Sequence, residues 1–287
     1  MKNILLVLNY NNFNQTEKFV KDTLSLYFFD DVIIVDNNSV NNSFQELVEC
    51  FKSNIHVRVI LSPNNNGYAQ GNNFGLKYIE KNFSVNDVIY ISNPDIGLNL
   101  KALVAVNKFI KDNESNVGLV TTSILNQQST WRLIGYYKSI FIESYLFRKL
   151  FHSKYIKMKY YPKMISEKYP VDVVTGAFFA TNLSTIIEID GFDPNTFLYM
   201  EEDILAYKIK KINRQSYLLP MEQVTHVGGT STVDTLSEIN QKKILNNSKK
   251  YYYKSYMKVG FWGLGLFSII SNIDIGILFL KKCLRGK

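Results

Sequence analysis

The chain has 287 residues, of which 46% are hydrophobic and 20% charged; this is enough apolar matter for a sizeable core and excludes a disordered chain. The formal net charge of +8 favours an anionic partner without choosing between nucleic acid, anionic lipid and a phosphorylated ligand. Two cysteines, Cys50 and Cys283, exclude a disulfide framework and a zinc pattern, and are expected as free thiols in a reducing compartment.

Residues 4–8 (ILLVL) form a continuous apolar run that suits a parallel strand buried on both faces. The run is too short for a signal peptide and stops at Asn9 and Tyr10, so no export is expected. Asn14 with Glu17 three residues later reads as a helix capping box, and Phe19, Val20, Thr23, Leu24 and Tyr27 follow at helical spacing. A second strand at 32–35 ends at Asp36, a helix spans about 43–52, and a third strand covers 57–61. The loop 62–67 leads to a helix near 70–82 and a fourth strand at 88–91, which ends in Ser92-Asn93-Pro94-Asp95. Such β-α alternation with short connections predicts a mostly parallel, doubly wound α/β sheet, whose ligands bind at the carboxyl ends of the strands.

A helix near 99–113 precedes a strand at 117–122, and residues 126–170 are less regular, rich in Tyr, Lys and Arg. A strand-like run follows at 171–182, then an amphipathic helix at 204–212, an apolar step at 218–220 before the HVGG at 226–229, and a charged helix over 236–258. The expected organisation is a first half at 1–125, a second half at 126–235, and a C-terminal helical segment at 236–287.

Several polar groups sit where strands end. Asp36 follows an apolar strand directly and can accept hydrogen bonds from a base or ribose; a turn aspartate reads equally well, since Asn37, Asn38 and Ser39 are turn formers. Pro94 stops its strand and aims Asp95 outward, where a carboxylate could hold a hard divalent cation that also bridges phosphates, unless the segment is simply an N-P-D turn. Glu201, Glu202 and Asp203 precede a helix; they either favour its dipole or supply a general base for an acceptor hydroxyl. The preceding residues 197–200 (FLYM) could carry the acids into a closed pocket and raise a pKa. His226 lies beside two glycines that allow close backbone approach, although a lone histidine is as readily structural. Gly67 to Asn73, with Gly71 and Asn72 inside it, is a small-residue loop opening a helix, which could bring backbone N–H groups to phosphate or sugar oxygens. It matches neither the Walker A nor the dinucleotide-binding pattern.

The order of these blocks resembles the family 2 inverting glycosyltransferases, and within them the rhamnosyltransferase-like group. The resemblance runs from about residue 4 to about residue 232. It includes Asn9-Tyr10-Asn11, IIVDNNS at 33–39, NNGYAQGNN at 65–73, SNPDI at 92–96, TGAFF at 175–179, GFDPNTFLYMEED at 191–203 and HVGG at 226–229. It implies a GT-A fold, a nucleotide-diphospho-sugar donor (dTDP-rhamnose or a UDP-hexose), a Mg²⁺ or Mn²⁺ ion, and a glycan or lipid-linked acceptor in surface polysaccharide synthesis. By the same resemblance Asp36 holds the base or ribose, and Asn9, Tyr10, Asn65, Gly67, Gly71 and Asn72 complete the donor site. Asp95 is the last acid of the short metal motif, His226 completes the metal site, and Asn93 stands where many members carry an Asp. Glu202 matches the catalytic base, with Glu201 before it and Asp203 a rival.

The tail changes character. Residues 249–254 (KKYYYK) are basic and aromatic, and 259–280 are long and apolar enough to span a bilayer, but Asn272, Asp274 and three glycines interrupt them. The reading preferred is an interfacial element with basic and aromatic anchors, placing the protein in the cytoplasm against the inner membrane face; a helical hairpin packed on the body or on a second subunit is the alternative. No helix-turn-helix, RRM or zinc pattern occurs, so no nucleic-acid partner is expected. A nucleotidyltransferase and a non-catalytic sugar-nucleotide-binding protein on the same fold are the remaining alternatives, and a homo-oligomer is left open.

Overall fold

A computed structural model of the chain describes residues 1–162, 166–226 and 237–285. The first half alternates as the apolar runs require: β1 (Asn3–Asn9), α1 (Phe13–Leu24), β2 (Asp31–Asp36), α2 (Ser43–Phe51), β3 (Val57–Leu61), α3 (Tyr68–Asn82), β4 (Val88–Ser92), the short β5 (Ile96–Gly97), α4 (Leu100–Asp112) and β6 (Val117–Ile124). The irregular stretch after it becomes β7 (Thr130–Trp131) and three short helices, α5 (Tyr136–Ile142), α6 (Tyr145–Leu150) and α7 (His152–Lys159). Then come β8 (Tyr169–Val171), β9 (Val173–Val174), β10 (Phe178–Asn182), α8 (Leu183–Glu188), α9 (Glu201–Lys211), β11 (Gln215–His226), α10 (Glu238–Ser255) and α11 (Phe261–Arg285).

The central sheet runs in the order β3-β2-β1-β4-β10-β6-β11-β5. The pairs β1–β2, β2–β3, β1–β4 and β6–β11 are parallel, whereas β10 is antiparallel to both β4 and β6. The second half of the chain therefore inserts a strand into the middle of the sheet begun by the first half. Alternate residues of each strand feed opposite layers, as the two-residue period of a strand demands. Leu5, Val7, Val32 and Ile34 pack with Phe19, Leu47 and Leu103 from α1, α2 and α4. Ile4, Leu6, Ile33 and Val35 pack with Leu76, Ile186 and Leu205 from α3, α8 and α9.

Three local expectations are corrected. The cap of α1 is at Asn12, whose side chain bonds Gln15, so the Asn14–Glu17 box does not form; Glu17 instead pairs with Lys21 at 2.7 Å. Tyr27 lies beyond α1 in a left-handed conformation (φ 51°) and is 96% exposed, not part of the buried stripe. The run 171–182 is not one strand. It breaks at 175–177, where Thr175 N–H donates to Ser129 O (2.8 Å) and Ala177 O accepts from Asn93 N–H (2.9 Å).

Candidate functional site

The carboxyl ends of β1 and β2 carry a closed polar cluster. Asp36 is fully buried; its carboxylate accepts from Asn9 Nδ2 (2.7 Å), Ser39 Oγ (2.8 Å) and Ser39 N–H (2.8 Å). Asn9 in turn accepts from Thr16 Oγ1 at 2.7 Å. Tyr10, next in line, is half-buried. Asn37 Nδ2 donates to Asn65 Oδ1 (3.0 Å) and Gly67 O (3.3 Å), tying the second strand end to the loop before α3.

The glycines of that loop are explained by contact. Gly67 has φ 93°, and a Cβ there would sit 1.9 Å from Phe197 O, so only glycine fits. Gly71 faces the Leu8 side chain and Asn37 Oδ1, where a Cβ would lie at 2.6 and 3.0 Å; it lets α3 approach the strand ends. Asn72 donates to Tyr68 O (2.9 Å), and its buried Oδ1 has no partner among the described residues.

At the end of β4, β5 pairs antiparallel with the last residues of β11, Thr225 and His226. This register brings His226 Nε2 to 3.1 Å from Asp95 Oδ2. Asp95 Oδ1 is buried and has no hydrogen-bond partner among the described residues, a state that costs free energy unless something else meets it. Asn93 lies half-buried beside this pair, its N–H bonded to Ala177 O. The glycines at 228 and 229 fall outside the described residues. One carboxylate oxygen and one imidazole nitrogen, with a bare buried oxygen between strand ends, fit a divalent cation. Among the described residues no group of three metal-ligating side chains forms, so the remaining positions would fall to ligand phosphates and water.

The three acids of α9 part company. Tyr199 and Met200 are consecutive non-glycine residues with φ 72° and 73°; this strained entry turns the first helical residues inward. Glu202 Oε1 accepts from Gly176 N–H at 3.1 Å, and Tyr68 Oη donates to Gly176 O at 2.7 Å. Burial pushes the Glu202 carboxyl above its ordinary range, and Asp203 adds to the shift. Glu201, 5% exposed with Oε1 unpartnered among the described residues, is raised by burial and then by Glu202. Burial, followed by the charges of Glu202, Glu201 and, at longer range, Asp95, raises the Tyr68 hydroxyl well above its usual value. Tyr68 is thus the residue that senses both the helix acids and the β4 carboxylate. Burial raises the Asp203 carboxyl as well, against the pull of Lys159, but its oxygens are engaged: Oδ2 accepts from Trp131 Nε1 (3.2 Å) and Oδ1 lies 4.0 Å from Lys159 Nζ. Lys159 pairs with the part-buried Glu143 at 2.9 Å, and Glu143 also binds Lys249 of α10. Burial raises Glu143, but Lys249 and Lys159 outweigh it and hold the carboxyl well below the usual range.

The expected residues therefore gather in two groups, Asn9–Asp36–Asn65–Gly67 and Asp95–His226, with Glu202 held separately on Gly176. Tyr68, Gly176, Trp131 and Lys159 were not singled out by sequence. The first two lie inside quoted blocks, Trp131 is one of only two tryptophans, and nothing in the sequence marks Lys159. A cavity of about 490 Å³ opens between residues 62–66, α3 and α8, and its lining includes neither Asp95 nor Glu202.

Known proteins agree with this architecture. A low-salt glycan biosynthesis hexosyltransferase, Agl10, of Haloferax volcanii is 24% identical over 216 residues, covering 73% of this chain and 62% of the relative; this chain thus spans less than two thirds of that protein. The structure of GalNAc-T7 with UDP, GalNAc and Mn²⁺ superposes with a TM-score of 0.63 at 13% identity, over 88% of this chain and 50% of that one. A mannosyltransferase, PcManGT, of Pyrobaculum calidifontis in complex with GDP-Man and Mn²⁺ gives a TM-score of 0.57 at 10% identity, over 99% and 80% of the two chains. The family described as glycosyl transferase family 2 matches residues 5–184. With more than half of its length inside that match, on the fold those structures share, the chain belongs to glycosyl transferase family 2.

Proposed function

We propose that the protein is an inverting glycosyltransferase that moves a sugar from a nucleotide-diphospho-sugar to a hydroxyl of a glycan or lipid-linked acceptor. The observations that carry this reading are the Asp95–His226 pair with its bare carboxylate oxygen and the raised Glu202 carboxyl held by Gly176, linked through the hydrogen bond from Asn93 N–H to the neighbouring Ala177 O. Asp95 and His226 would hold Mg²⁺ or Mn²⁺, which when bound supplies positive charge for the departing diphosphate. Asn9, Asp36, Asn65 and the loop around Gly67 line the nucleoside end. Glu202, ionised, takes the acceptor proton as the hydroxyl oxygen forms its bond to the anomeric carbon. The bond from that carbon to the diphosphate oxygen breaks on the opposite face, and the configuration inverts in a single displacement. Asp203 is spent on Trp131 and Lys159, which favours Glu202 as the base. The donor favoured is dTDP-rhamnose, with UDP-hexoses next, and surface polysaccharide synthesis is the role that fits.

A thermal-shift screen with dTDP- and UDP-sugars, with and without Mn²⁺, tests this, since a ligand that binds only the folded state raises the melting temperature. A Mn²⁺-dependent rise with one donor, lost in Asp95→Ala, is the expected result. No rise with any donor, or an unchanged rise in Asp95→Ala, contradicts the assignment.

A further inference from the structure

The helix α11 is polarised the wrong way for a protein in water. The positions facing the body include Phe267, Ser271, Asp274 and Leu278, all buried, at the three- and four-residue spacing of one helix face. Asp274 Oδ1 accepts from Tyr145 N–H at the start of α6 (2.9 Å), and Oδ2 pairs with Lys242 of α10 at 2.8 Å. The opposite face carries Trp262, Leu266, Ile269, Ile273, Leu280 and Leu284, all exposed, with 86% exposure at Trp262 and 77% at Leu284. A helix lying on a soluble protein turns its apolar stripe inward and its polar face outward. Here an acid and a serine point in, and the outer face, interrupted only by Gly265, Asn272 and Gly276 among its exposed positions between Trp262 and Leu280, is apolar, which marks contact with something apolar.

The stripe is long. Twenty-five helical residues extend about 37 Å. Composition alone would allow this helix to cross a bilayer, but its packing does not. Lys242 is in α10, which runs against α11 and also holds Lys249 on Glu143 and Ser248 on Leu198 O. A spanning α11 would draw those polar groups into hydrocarbon, where unsatisfied and charged groups cost several kcal/mol each. The ends of α11 are basic: Lys258 precedes it, and Lys281 and Lys282 close it, with Lys281 lying over the Tyr145 ring. On α6, Leu146 and Leu150 are exposed beside Arg148 and Lys149.

We propose that α11 is a monotopic membrane-docking helix, lying in the plane of an anionic bilayer surface with its outer stripe among the acyl chains and its terminal lysines at the headgroups. Apolar insertion with cationic flanks is the combination that binds such an interface. The proposal does not depend on the catalytic reading, because its readout is lipid binding.

Flotation of the full chain with phosphatidylcholine vesicles containing phosphatidylglycerol tests it. The wild type should float with the anionic vesicles, more weakly with pure phosphatidylcholine, and the exposed Trp262 should shift its emission to the blue. Ile269→Glu/Ile273→Glu, at exposed positions that leave the body intact, should lower the bound fraction at least about tenfold with an unchanged melting temperature. Failure of the wild type to float, or equal binding by the double variant, overturns the proposal. So does a solution dimer that the double variant converts to monomer, which would assign the stripe to a second copy. Resistance to extraction from membranes by alkaline carbonate overturns the in-plane arrangement in favour of a span.

Discussion

At the residue scale the site is built on two carboxyls that are unfavourable to ionise, Glu201 and Glu202. Their folded pKa values lie above the unfolded ones, so between the two values the unfolded chain holds fewer protons. Stability therefore falls as pH rises through that window and is not penalised below the ordinary glutamate range. Glu201→Gln is expected to raise stability near pH 8 by on the order of 1–2 kcal/mol, which a chain of this size registers as a few degrees in Tm, and to change little at pH 4. A Tm difference independent of pH would contradict the charge origin. Asp95, His226 and Glu202 were marked in sequence by the order of the family-like blocks, since each alone reads as readily as a turn acid, a structural histidine or a helix-start acid. Tyr68 and Gly176 were not, since their roles depend on a contact between residues 108 positions apart.

At the element scale, the strands of the first half were readable from apolar runs and their parallel direction from short β-α connections, but the antiparallel insertion of β10 between β4 and β6 was not. The break at 175–177 was not, because it is imposed by Ser129 and Asn93 from other parts of the chain. The asparagine-rich stretch 9–14 offers several equivalent caps, which is why the Asn14–Glu17 pattern pointed two residues too far. The part-buried network Glu143–Lys159–Asp203–Lys249 joins the residue that caps α5 to α7, α9 and α10, and no local pattern announces it. Lys159→Met should cost about 3–5 kcal/mol, because it leaves two acids under-compensated in the interior. Denaturant unfolding measures this, and Lys159→Met/Glu143→Gln should recover part of the loss. A cost below about 1 kcal/mol, typical of surface pairs, would show the network to be solvated.

At the scale of the whole molecule, α10 is part of the body and not an appendage. It supplies Lys249 to Glu143 and Tyr252 and Tyr253 to a buried aromatic cluster with Tyr136, Ile204 and Phe267. Ending the chain before residue 237 should therefore abolish cooperative unfolding followed by circular dichroism; a cooperative transition retained at the full-length Tm would refute that dependence. The sequence marked this tail as apolar and basic, but its one-sided burial emerges only where α11 meets α6 and α10. The account rests on Glu202 as the base of a sugar transfer. The most direct test is release of nucleoside diphosphate from whichever donor produces the Mn²⁺-dependent thermal shift, comparing the wild type with Glu202→Gln. The variant is expected to keep its donor affinity and lose about 10²- to 10⁴-fold in turnover; near-normal turnover by Glu202→Gln would contradict the assignment of Glu202 as base.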